Sequence, residues 1–206
     1  MNPITRQKRF FSALSAVSFA SFLLVAPLTK PARADDLTEA MESVLQYTAE
    51  LHDIQFRYQL SDRPILTPCG VISLAAFCTV DNTVYVNVTE VNRTSANPLF
   101  PLYAVAHESA HAIQWNRGIG GMNTGGMTIG IELHADCLAG DTLSWILSRA
   151  RTLSKEEYVM AGNFLARAAA EVGDFETPDK SHGTPQQRSD AVLQGFYGEN
   201  HEACSR

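Results

Sequence analysis

The sequence predicts a mainly helical α+β domain with a small β-sheet next to a metal-binding helix. Three observations lead there. His107-Glu108-Ser109-Ala110-His111 sets two histidines one helical turn apart inside an apolar stretch. Just upstream, Thr83-Val84-Tyr85-Val86-Asn87-Val88 alternates and is rich in β-branched and aromatic residues, the pattern of a strand. Downstream, Glu132 and Asp136 are again four apart in a second apolar, helix-compatible stretch.

The N-terminus reads as an address rather than as fold. Arg6, Lys8 and Arg9 precede an apolar run from Phe10 to Leu28, and Ala32-Arg33-Ala34 has the small-x-small form of a cleavage signal. A membrane anchor would share the apolar run. This one contains four serines and breaks at Pro27, so a signal peptide over residues 1–34 is the expectation, with one domain over 35–206. No cysteine near the cleavage point suggests a lipid anchor. The expected location is exported, periplasmic or secreted, without stable membrane insertion after cleavage.

Residues 1–34 hold five basic residues and no acidic ones, so 16 Lys+Arg fall to 11 against an unchanged 22 Asp+Glu. A mature charge of −11 argues against nucleic acid and anionic membranes as partners. Export also implies an oxidising compartment in which the four cysteines can pair.

Taken in order, residues 37–60 read as a long scaffolding helix, with Met41, Val44, Leu45, Leu51, Ile54 and Tyr58 at helical spacing. A loop from Ser61 to Pro68 follows. Cys69 and Cys78 then bracket a short apolar segment, and a local disulfide is the leading reading. Four cysteines allow three pairings, and the sequence leaves the choice open. The strand at 83–88 either offers an edge to an extended peptide or only covers the core. Asn87 and Asn92 lie in glycosylation sequons. Asn97-Pro98 and Pro101 mark the start of the histidine-bearing helix, and Gly118 its end. The glycine-rich stretch from Gly118 to Gly130 lacks both a preceding strand and a following Lys-Ser/Thr, so it is read as a connector or lid and not a phosphate cradle. Residues 154–172 read as a packing helix, and Thr184-Pro185 as the start of another.

The chemistry follows from the donor types. His107 and His111 on one helix face supply two nitrogen ligands for a single Zn²⁺, and Glu108 beside them supplies a base for water. Their neighbours are mainly Ala, Val, Ile and Trp, so the helix is expected to be buried, and buried histidines need a partner. Catalytic zinc takes three protein ligands as a rule, and Glu132 is the expected third. Asp136, one turn on, is expected to accept the free N–H of a ligating histidine. His134 is a rival ligand, but it points to another helix face. Cys137 sits among apolar residues and reads as a small buried hydrophobe.

His-Glu-Ser-Ala-His-Ala-Ile-Gln (107–114), Glu-Leu-His-Ala-Asp-Cys-Leu-Ala-Gly (132–140) and Ser-His-Gly-Thr-Pro-Gln-Gln-Arg (181–188) with Gly195-Phe196 resemble the bacterial putative neutral zinc metallopeptidase family. That family stands among the zincins whose third ligand is a glutamate, so the resemblance implies a zincin-like metallopeptidase domain. It covers roughly Cys69 to Tyr197. Ser109-Ala110 stands where a Gly is usual, and His134 where a Gln is usual. The His182-x5-Arg188 spacing also resembles the integral-membrane glutamate zincins, in which these residues border the active site. The resemblance thus adds His182 and Arg188 as catalytic candidates, a donor and a cation that could steady an oxyanion.

The resulting expectation is zinc-dependent hydrolysis of peptide bonds outside the cytoplasm, acting on a peptide or protein substrate. Two rivals use the same ligands: a non-catalytic, zinc-stabilised binding or chaperone-like module, and a metal-dependent cell-wall amidase. Glu108 speaks against the first, because a structural metal does not need that carboxylate.

Overall fold

The structure, a computed structural model, describes residues 34–119, 129–149, 153–175, 182–198 and 201–204. The expected signal peptide and most of the glycine-rich connector lie outside these residues. The mixed α+β architecture appears as expected, with helices predominating over a small sheet.

The first helix, α1 (Ala34–Leu51), buries Met41, Val44 and Leu45. It ends earlier than the apolar spacing suggests. His52 and Asp53 form a turn in which Asp53 takes φ 49°, and the chain leaves as strand β1 (Arg57–Ser61). Tyr58, counted in the helical stripe, is 37% exposed on that strand. The apolar spacing was compatible with a helix, but pairing to a buried strand decided the conformation.

That buried strand is β5 (Thr83–Asn87), every residue of which is buried. It is not an edge. It lies between β1, parallel to it, and β4 (Ala75–Cys78), antiparallel to it. The edge facing the rest of the site is therefore β4. Val84 and Val86 face the main helical core together with Ala75 and Phe77. Tyr85 and Cys78 face the other way and pack against Ile65 and Ile72 of a short hairpin, β2 (Ile65–Thr67) with β3 (Gly70–Ile72). The Cys69–Cys78 disulfide ties this hairpin to β4, as expected.

Val88, assigned to the strand on sequence grounds, instead begins α2 (Val88–Thr94), capped by the Asn87 side chain. Asn87 is buried and also donates to the Ser73 carbonyl, so that sequon is engaged in the fold. Helix α3 (Phe100–Asn116) then carries the two histidines; Asn97 accepts from Leu99 N–H just before it, and Gly118 takes φ 64° after it. Its burial on almost every side agrees with its sequence.

Helix α4 (Ile129–Ser148) carries Glu132 and Asp136, α5 (Lys155–Glu171) packs behind, and α6 (Pro185–Phe196) carries Arg188. Two glycines set how close α4 and α6 come. A Cβ on Gly140 would strike the Val192 carbonyl, and one on Gly195 would strike the Cys137 carbonyl. Backbone-to-backbone contact of this kind brings Arg188 within reach of Asp136. The last described element is a 3₁₀ turn, His201–Cys204, held to α4 by a second disulfide, Cys137–Cys204. Cys137 is buried, as read from its neighbours, but it is bonded and not a free small hydrophobe. Two disulfides fit an oxidising, exported environment. Among the described residues no helix is long and apolar enough to cross a membrane.

Candidate metal centre

Helical spacing on α3 puts His107 and His111 one turn apart with their rings edge to face, centroids 4.7 Å apart, and their Nε2 atoms 3.2 Å apart. Glu132 reaches across from α4. Its Oε2 lies 3.3 Å from His107 Nε2 and its Oε1 3.5 Å from His111 Nε2. The three side chains are buried, and one ligand atom from each lies within 4.8 Å of the others. Two imidazole nitrogens and one carboxylate oxygen, converging from two helices, can hold a metal ion.

One atom makes that reading more than a matter of proximity. Glu132 Oε1 is buried and has no hydrogen-bond partner. A buried carboxylate oxygen with nothing to bond costs free energy comparable to a lost hydrogen bond or more. A cation held between it and the two nitrogens removes the cost, so the residues present fit a metal.

Behind the histidines stands a closed polar network. Asp136, fully buried, accepts from His107 Nδ1 at 2.9 Å, from the Tyr103 hydroxyl at 2.6 Å, and from Arg188 Nε and an Arg188 terminal nitrogen at 2.8 and 2.9 Å. A carboxylate only accepts, so His107 Nδ1 carries a proton and Nε2 faces the cluster. Asp136 thus stands where the sequence put it, on the far nitrogen of a candidate ligand.

The charges are arranged to receive a cation. Burial opposes the charge on His107, but the hydrogen bond and charge of Asp136, with Glu132, override it and push the pKa up to about 10. Burial also works against Glu132 and Asp136, yet His107, with Arg188 and for Glu132 also His111, holds both carboxyls below their ordinary range. His111 goes the other way: burial, then the charge of His107, lower its pKa. Two buried carboxylates face one guanidinium, so the group carries a net negative charge once His107 gives up its second proton to act as a ligand.

Glu108 is part-buried beside the cluster, and its Oε2 accepts the Phe77 N–H of β4 at 2.8 Å. The strand edge and the candidate base are therefore in direct contact.

His182 and Arg188 separate into different positions. His182 is 55% exposed, and its Nδ1 lies 3.2 Å from Glu132 Oε2. The loop that carries it is pinned by its own N–H donating to Asp174, and Gly183 turns there with φ 102°. Arg188 is 3% exposed, and its nitrogens go to Asp136, the Tyr103 hydroxyl and the Val172 carbonyl. It approaches Glu132 only at 3.8 Å. A guanidinium so engaged holds Asp136 in place. Its geometry differs from the expected oxyanion donor because α6 packs so closely on α4.

Two residues were not singled out from sequence. Tyr103 lies one turn before His107, and Gln114 lies three residues after His111, where its Oε1 meets His111 Nδ1 at 2.8 Å. Both are polar side chains on the histidine face of an otherwise apolar helix, and that contrast was the available signal. The Phe77 N–H had none. His134 is outside the donor group, as its helix face implied, with its Nδ1 3.0 Å from Gln114 Nε2.

Compared with known proteins, the chain matches no protein-family model, no curated protein and no solved structure.

Proposed function

We propose that the protein is a zinc-dependent peptidase, with His107, His111 and Glu132 as ligands. The observation that carries this reading is the orphaned Glu132 Oε1 beside His111 Nε2, in a carboxylate whose other oxygen lies beside His107 Nε2, with a second carboxylate, Glu108, next to the group and free of ligand duty. The resemblance of residues 107–114, 132–140 and 181–188 to bacterial neutral zinc metallopeptidases supports it. Zinc in such a site supplies a Lewis acid that polarises a carbonyl and acidifies water near neutral pH.

The remaining work falls to the chain itself. Glu108 takes the proton of the attacking water and hands it to the departing amine. Its carboxylate is aimed by the Phe77 N–H, which leaves the other oxygen for that proton. Because Phe77 N–H points away from β5, alternation along β4 turns the main-chain groups of Ala75 and the Phe77 carbonyl outward too. An extended peptide can pair with that edge and run its scissile bond past Glu108. His182, exposed beside Glu132, donates to the carbonyl oxygen as it gains charge. Arg188 acts through Asp136, and Asp136 acts through His107.

Glu108→Gln tests the reading, because it keeps shape and metal ligands but removes the base. The variant is expected to bind stoichiometric zinc, melt like the wild type and cut no peptide that the wild type cuts from a library at near-neutral pH. Identical behaviour of the two proteins, or a zinc-loaded wild type that leaves the library intact, would transfer the case to a non-catalytic zinc-stabilised module.

A further inference from the structure

We propose that Gln114 is the positioning residue for His111, and that His134 and the Cys137–Cys204 disulfide hold Gln114 to that task. The proposal rests on the reading of His107, His111 and Glu132 as metal ligands, and extends it to the outer support of the second histidine.

Gln114 is fully buried, so each of its polar atoms needs a partner. Oε1 meets His111 Nδ1 at 2.8 Å, and Nε2 meets the Ile131 carbonyl at 2.8 Å and His134 Nδ1 at 3.0 Å. These contacts fix which way round the amide lies. A carbonyl only accepts, so the amide nitrogen must face Ile131 and the oxygen must face His111. His111 Nδ1 therefore carries the proton. Its Nε2 lone pair is left pointing at His107 and Glu132, the orientation a ligand needs.

The two histidines are thus oriented by different chemistry. His107 is held by a carboxylate that is itself held by an arginine. His111 is held by a neutral amide. A second carboxylate behind His111 would add a further buried negative charge to those of Glu132 and Asp136. An amide gives the same tautomer without that charge.

The amide is anchored in turn from the C-terminal side. His134 presents Nδ1 as an acceptor to Gln114, and the same ring hydrogen-bonds the main chain of Cys204. Cys204 is bonded to Cys137, three residues after His134 on α4. The 3₁₀ turn is therefore clamped where it can hold His134, and His134 holds Gln114. The disulfide thus ties the 3₁₀ turn to the support of a metal ligand.

The test is zinc affinity of the mature protein, read by competition with a chelator of known affinity, with apo-protein circular dichroism as the folding control. Gln114→Leu is expected to weaken zinc binding about 10–100-fold, as for loss of the group that orients a ligating histidine. His134→Leu is expected to weaken it about tenfold. His134→Asn, which keeps an acceptor near the place of Nδ1, is expected to recover most of that loss. Replacing Cys137 and Cys204 together by Ala is expected to lower affinity in the same direction. In ¹⁵N spectra of the wild type the His111 Nδ1 proton is expected to be protected from solvent, and in Gln114→Leu to exchange. Should Gln114→Leu not fold, the His134 pair carries the test. Wild-type affinity in Gln114→Leu or His134→Leu would overturn the proposal, as would His134→Asn binding as weakly as His134→Leu. Wild-type affinity in the double-cysteine variant would remove the disulfide from it. A wild-type protein that takes up no zinc at all would instead overturn the metal reading on which it stands.

Discussion

Asp136→Asn is the sharpest probe of the buried network, because it changes one oxygen to a nitrogen without changing shape. Asp136 receives four hydrogen bonds, from His107, Tyr103 and two nitrogens of Arg188. An asparagine amide nitrogen can accept none of them, so the donors opposite it lose their partner. The larger effect is on Arg188, whose buried charge loses its principal counter-ion; Glu132, 3.8 Å away, compensates only in part. Breaking a buried pair from one side costs about 3–5 kcal/mol. That is a large share of the roughly 5–15 kcal/mol that a domain of this size has to lose. Replacing both, as Asp136→Asn with Arg188→Met, leaves no unpaired buried charge. The double variant should therefore lose clearly less stability than the two single losses together, with a coupling of about 1–3 kcal/mol. The assay is denaturant unfolding of apo protein with its disulfides intact, comparing midpoints at constant slope. A single variant within about 1 kcal/mol of wild type by that assay, or two losses that simply add, would refute the claim that Arg188 serves by holding Asp136.

Further predictions come from His107 and from the two disulfides. With its pKa at about 10, His107 is protonated in apo protein at pH 7, whereas a ligand must offer a lone pair. Zinc uptake at pH 7 should release about one proton per site, measurable by calorimetry in buffers of different ionisation enthalpy; no release would contradict the assigned charge state. Apo protein should also lose stability with rising pH, because a raised folded pKa gives stability present in full below the ordinary histidine value of 6.5 and lost as pH rises through about 10. The two disulfides should differ in worth. In the chain-entropy model, Cys69–Cys78, nine residues apart, contributes about 2–3 kcal/mol, and Cys137–Cys204, 67 apart, about 4. Unfolding of the two paired Cys→Ala variants should rank in that order, and the reverse order would show that strain or residual structure outweighs loop closure.

What could be read from sequence was whatever repeats with the period of the element that carries it. His107, His111, Glu132 and Asp136 are spaced by four on helices, so their convergence followed once two helices were expected to pack. The Thr184 cap and Pro185 likewise announced α6. Three things were hidden for physical reasons. The end of α1 was obscured because Ile54 and Tyr58 keep a helical spacing while the chain has already turned at Asp53 into a strand. The order of the sheet was hidden because β5 reads the same whether it is central or at the edge, and only its partners decide. The different positions of His182 and Arg188 depend on how closely α6 approaches α4. Gly140 and Gly195 set that approach, and neither is marked as a contact by sequence alone.

Whether His107, His111 and Glu132 together hold one zinc ion is answered by anomalous diffraction at the zinc edge from crystals of the loaded protein. A single strong site is expected, with two nitrogen ligands from the Nε2 atoms and one Glu132 oxygen, each about 2.0–2.2 Å from the metal, and Asp136 outside the coordination sphere. A metal bound through His134 or His182 in place of Glu132, or no site between α3 and α4 at full zinc loading, would contradict it.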